Sequence, residues 1–223
     1  MHQPPRVPLP APLIVTALAF CCLFTPGCST GSGNVTFTSH TAAGPREYFQ
    51  EFPAAYISSN KSGEYDVVLL NDDLHGHRPK PSKKPLEPVG AVPLTQALKI
   101  HIFWRPAAGV MLRESSVTNA IIDWYVFGSR DGRTVDLLHY EGAGFVVLNP
   151  VGAAARVVIN DGQVAPTQSI GDLKDPVGRA VINGSIFAVR NDQRVKDILS
   201  TLTDETAAAE HGPATMPSAT VAP

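Results

Sequence analysis

The chain has 223 residues, 43% of them hydrophobic, and a net charge of −2. That length suits one ordinary hydrophobic core, and the balanced charge supplies no electrostatic attraction to nucleic acid. Its three cysteines, Cys21, Cys22 and Cys28, all fall at the start, so a chain processed at Cys28 has no internal disulfide and no other thiol for catalysis.

Residues 1–27 read as a signal peptide. Arg6 is the only Lys or Arg before an apolar run of twelve residues, Leu13 to Phe24, which is too short to span a bilayer. The run closes on Thr25-Pro26-Gly27-Cys28, with Ser29 and Thr30 following. A small residue before a cysteine, with small residues after it, resembles the cleavage box of bacterial lipoproteins; Thr25, where leucine is usual, and Pro26 depart from that pattern. The resemblance covers residues 1–29 alone. It implies that Cys28 is acylated, becomes the first residue and holds the protein to membrane lipid in the cell envelope. Ser29 after the cysteine implies passage toward an outer membrane. Several acyl chains, at about 0.8 kcal/mol per buried methylene, would make such an anchor effectively permanent.

Residues 28–45 are rich in Gly, Ser and Thr and predict a flexible tether. From Arg46 to Tyr56, the aromatic residues Tyr48, Phe49, Phe52 and Tyr56 stand at helical spacing, interrupted by Pro53, and predict a stripe facing the core. Glu64 to Leu70 reads as a short strand. Residues 71–96 then carry five prolines, Pro79, Pro81, Pro85, Pro88 and Pro93, among basic side chains, and predict an extended loop. At its entrance, Asp72, Asp73, His75 and His77 bring metal-ligating types together. Two imidazoles at i, i+2 beside a carboxylate offer donors for zinc or copper, although a loop His-x-His without a third spaced ligand also reads as a solvated turn.

Ala97 to Arg105 alternates, with Leu98, Ile100, Ile102 and Trp104 on one face and Lys99, His101, Phe103 and Arg105 on the other, as in a half-buried strand. Ile121 to Phe127 is β-branched and aromatic, and Asp131-Gly132 suits a two-residue hairpin loop. With Arg130 opposite Arg133, paired residue numbers sum to 263. That register sets Trp124 across from His139 and Ile122 across from Glu141, leaves Asp123 opposite Tyr140, and makes neither face wholly apolar. Gly142-Ala143-Gly144 interrupts the pattern and predicts a bend, isolated glycines in a strand being common at bulges and close backbone approaches. Ala153 to Asn160 predicts a strand that turns at Asp161-Gly162 and returns as an edge strand containing Pro166. Gly178 to Val189 keeps its period of two across Asn183-Gly184 and predicts one continuous strand.

Asn191 or Asp192 caps a helix in which Val195, Ile198, Leu199 and Leu202 form one apolar stripe. Residues 204–223, rich in Ala, Thr and Pro, predict a disordered tail. The expected fold is therefore mainly β (α+β): one domain over 46–203, an antiparallel sandwich or open barrel of six to seven strands with a covering C-terminal helix.

No glycine-rich phosphate loop, G-x-S-x-G or helical H-E-x-x-H occurs, so no cofactor is expected. The leading functional expectation is a lipid-anchored envelope protein, a non-catalytic binding or structural module whose partner is an envelope protein or polysaccharide. The rival is an envelope enzyme, using either the His75/His77 loop as a metal site or a pocket of Trp124, His139, Glu141 and Asp123 with acid/base chemistry.

Overall fold

The computed structural model describes residues 30–41, 44–71, 94–105, 118–128 and 135–211. Cys28, Asp72, Asp73, His75 and His77, and the predicted Asp131-Gly132 turn lie outside them.

The described strands are β1 (Gly31–Thr41), β2 (Gly44–Ser59), β3 (Tyr65–Leu70), β4 (Leu94–Ile102), β5 (Ala120–Gly128), β6 (Asp136–Val151), β7 (Ala154–Ile170) and β8 (Ala180–Arg190), followed by helix α1 (Asp192–His211). Each strand pairs antiparallel with the next, and β8 returns to β1. The sheet is thus a closed barrel of eight strands rather than a sandwich or open barrel of six to seven. Closure satisfies the backbone groups that an open sheet would leave at its edges.

The additional strand comes from the expected tether. In β1, Val35, Phe37 and Ser39 are buried while Ser32 and Asn34 are exposed, a period of two that the Gly, Ser and Thr composition masks. The aromatic segment around Phe49 is likewise extended, not helical. In β2, Gln50 and Phe52 point inward, then Ala55 and Ile57 do, and the β1–β2 register shifts across Pro53. Proline has no N–H for the ladder and is tolerated at such irregularities. Phe49 therefore faces outward and is 49% exposed.

Barrels of eight strands have an interior about wide enough for side chains to fill, and this one is filled. Leu98, Ile100, Ile122, Val146, Val157 and Ile182 are among the wholly buried residues there. Trp124 is sandwiched at its centre, 4.1 Å from the Phe37 ring and 4.5 Å from Tyr140. The indole N–H donates to Gln96 Oε1 at 3.2 Å, Gln96 Nε2 donates to Gln50 Oε1 at 3.1 Å, and Gln50 Nε2 donates to the Glu51 carbonyl at 2.8 Å. This chain supplies partners that buried amides need. Between β7 and β8, Asp175 accepts from the Tyr140 hydroxyl and from the backbone N–H groups of Val177 and Gly178.

The β5–β6 pairs sum to 264, one more than the two-residue loop demands. Val126 meets Leu138, Trp124 meets Tyr140, and Ile122 meets Gly142 inside the barrel; Phe127 meets Leu137, Tyr125 meets His139, and Asp123 meets Glu141 outside. A one-residue shift exchanges the faces of the second strand. The inner face becomes entirely apolar. Trp124 and His139 are consequently on opposite sides of the sheet.

Asp161-Gly162 makes no turn. Asp161 takes a φ of +48° within a register shift of the continuous strand β7, so the left-handed residue is absorbed as a bulge. Pro166 pairs only toward β6, because the β7–β8 ladder has ended at Val164 and Ala180. The predicted strand across Asn183-Gly184 is present as β8.

Helix α1 lies on the outer wall. Asn191 Oδ1 accepts from the Arg194 N–H at 2.9 Å, capping its start. Val195, Ile198 and Leu202 cover Val68, Leu70, Ala97, Phe127 and Leu137, a second apolar cluster outside the barrel. The helix runs past Asp204 to His211 with Ala209 buried, so the first part of the expected tail is packed structure.

Candidate functional site

Where α1 stops covering the wall, the outward side chains of β4, β5 and β6 turn polar. Alternation from the apolar interior places Lys99, Asp123 and Glu141 side by side, since Lys99 pairs with Asp123 and Asp123 with Glu141. One step along, His139 pairs with Tyr125, and their rings stack at 4.3 Å with an interplanar angle of 7°. That stacking fixes the imidazole plane.

The result is an imidazole with a carboxylate near each nitrogen. His139 Nε2 is 3.5 Å from Asp123 Oδ1, and Nδ1 is 3.7 Å from Glu141 Oε1. Neither distance is a good hydrogen bond. His139 is 9% exposed, and its Nε2 is buried without a hydrogen-bond partner among the described residues. Asp123 uses its other oxygen, accepting from Lys99 Nζ at 3.0 Å. Burial raises the Asp123 pKa, but His139 and Lys99 outweigh it and hold the carboxyl below its ordinary value. Burial pushes the Tyr125 hydroxyl up to about 12, with the Asp123 and Glu141 charges adding to the effect.

A groove of about 300 Å³ adjoins this cluster, between the wall and the second half of α1. Lys99, Tyr125, Leu202, Thr206 and Glu210 line it. Glu210 also accepts from Gln168 Nε2 at 2.9 Å, tying the helix end to β7. On the neighbouring strands, His101 Nδ1 lies 2.7 Å from Asp66 Oδ1.

Of the proposed pocket, Asp123, His139 and Glu141 converge, each offering a ligand atom within 4.8 Å of the others, whereas Trp124 is on the inner side of the wall. Lys99 and Tyr125 belong to the cluster and were missed, although the alternation of β4 had already set Lys99 outward. The missing signal was the partner register: in the pairs summing to 264, the apolar residues of the two strands share one face and the polar residues gather on the other. Chemically, the trio can pass a proton between carboxylates through an imidazole or hold a cation.

No protein-family model matches the chain, and neither the curated proteins nor the solved structures contain a significant match to it.

Proposed function

We propose that the protein is a lipid-anchored component of a cell envelope, whose barrel is a non-catalytic binding or structural module presenting its outer wall to an envelope protein or polysaccharide. The observation supporting a wall-binding module is the interior itself. The stack of Phe37, Trp124 and Tyr140, surrounded by buried aliphatic residues, occupies the space in which a barrel of this size would hold a ligand. The outer wall instead offers a polar cluster and a groove beside the helix. The anchor is supported by the Leu13–Phe24 run and the Gly27-Cys28 junction.

Photo-crosslinking in intact envelopes tests the module. A crosslinker at Ile121, outward and 42% exposed beside the cluster, should capture a discrete envelope species, while one at the exposed Val151 should not. Absence of a product specific to position 121 would count against the reading. Intact mass of the purified protein tests the anchor, which fails if Cys28 carries no acyl groups.

A further inference from the structure

We infer that Asp123, His139 and Glu141 form a binding site for a divalent transition-metal ion of the zinc class on the outer wall of the barrel. The inference goes beyond the proposed module, which requires no metal.

Three features point to an ion. The first is the separation of His139 Nε2 and Asp123 Oδ1, 3.5 Å. That is too long for a good N–H···O bond, and too short for a water bonded to both. Two donors on one tetrahedral ion, with bonds of about 2.0–2.2 Å, stand roughly 3.3–3.6 Å apart. The second is the buried Nε2, which has no hydrogen-bond partner among the described residues, since a buried ring nitrogen left without a partner is costly. An ion between the ring and Asp123 satisfies it. The third is the set of supporting contacts. Metal-binding carboxylates are themselves held by hydrogen bonds, and Lys99 holds Asp123 Oδ2 at 3.0 Å while Oδ1 faces the imidazole. Tyr125 fixes the ring plane by stacking.

Glu141 completes the set. Its Oε1 now lies 3.7 Å from His139 Nδ1, on the far side of the ring from Nε2, so the 54% exposed side chain reaches the ion by turning about its own torsions toward Asp123. One imidazole and two carboxylates suit zinc, and three protein donors leave a fourth position open. Among the described residues, the two carboxylates exceed the one Lys99 charge paired with them, which favours a dication.

The test uses the full-length chain in detergent with His75→Ala and His77→Ala, so that the loop histidines cannot account for binding. After chelator treatment, Zn²⁺ is added in equilibrium dialysis, and Co²⁺ is titrated with visible absorption as the readout of coordination. About one ion per chain is expected. His139→Ala and Glu141→Gln should each weaken affinity about tenfold or more, and His101→Ala, whose ring sits against Asp66, should leave it unchanged. Failure of the parent to retain Zn²⁺ or Co²⁺ would overturn the proposal. So would parent-like affinity in both His139→Ala and Glu141→Gln. If His139→Ala does not fold, by circular dichroism, the half-exposed Glu141→Gln decides: weakened binding supports the site, and unchanged binding refutes it.

Discussion

Trp124 and His139 stand on opposite faces of the β5–β6 ribbon: the indole is buried between Phe37 and Tyr140, and the imidazole lies outside between Asp123 and Glu141. Their division separates a structural centre from a polar surface. Trp124→Ala should cost about 3–5 kcal/mol, as for other large-to-small core changes. Chemical denaturation measures it; a loss under about 1 kcal/mol would mean that the indole is not a core residue.

Gly142 is a second point of no tolerance. A Cβ there would sit 1.7 Å from the Gln163 carbonyl oxygen, which belongs to the backbone of the paired strand and cannot rotate away. Gly184→Ala would bring its methyl no closer than 3.1 Å to Asn34. The expected result is a loss of more than about 2 kcal/mol for Gly142→Ala and a much smaller change for Gly184→Ala, compared by urea midpoints. Equal effects would contradict the close approach of β6 and β7.

The Lys99–Asp123 pair sets an acid limit. Because the folded Asp123 pKa is lowered, its stabilisation is complete above the unfolded value near 3.9 and is lost as pH falls through the folded value. Asp123→Asn should therefore flatten the stability profile below about pH 4. At neutral pH, the Lys99–Asp123 coupling in a double-mutant cycle should be about 1.5–3 kcal/mol, the range for hydrogen bonds to charged groups. A coupling near zero would make the pair incidental.

Tyr125 acts in the opposite direction. With its folded pKa at about 12 and the unfolded value near 10, the unfolded chain loses its proton first as pH rises. Stability is unaffected by this group below about pH 10 and falls between 10 and 12. Tyr125→Phe should make that alkaline limb shallower in thermal melts across the range; an unchanged slope would show that Tyr125 is not the titrating group.

Deleting residues 205–223 removes the end of α1, including buried Ala209 and the Glu210 contact to Gln168. The loss should exceed about 1 kcal/mol, beyond the usual range for surface changes. Stability within about 0.5 kcal/mol of the intact chain would show that the last two turns of the helix add nothing.

Local pattern was enough for β3, for the inward Leu98, Ile100 and Ile102 of β4, for β8 across Asn183-Gly184, and for the α1 stripe and its Asn191 cap. In each, side-chain periodicity and capping chemistry are properties of neighbouring residues in the chain. The same locality explains the misreadings. Thr and Ser around Val35 and Phe37 look like a tether until β2 and β8 supply hydrogen bonds on both sides, and Asp161-Gly162 looks like a turn until two flanking strands absorb it as a bulge within β7. Outward Lys99 was legible from alternation alone. Its meeting with Asp123, and that of Asp123 with His139 and Glu141, required the register between strands, which barrel closure and an apolar interior decide together.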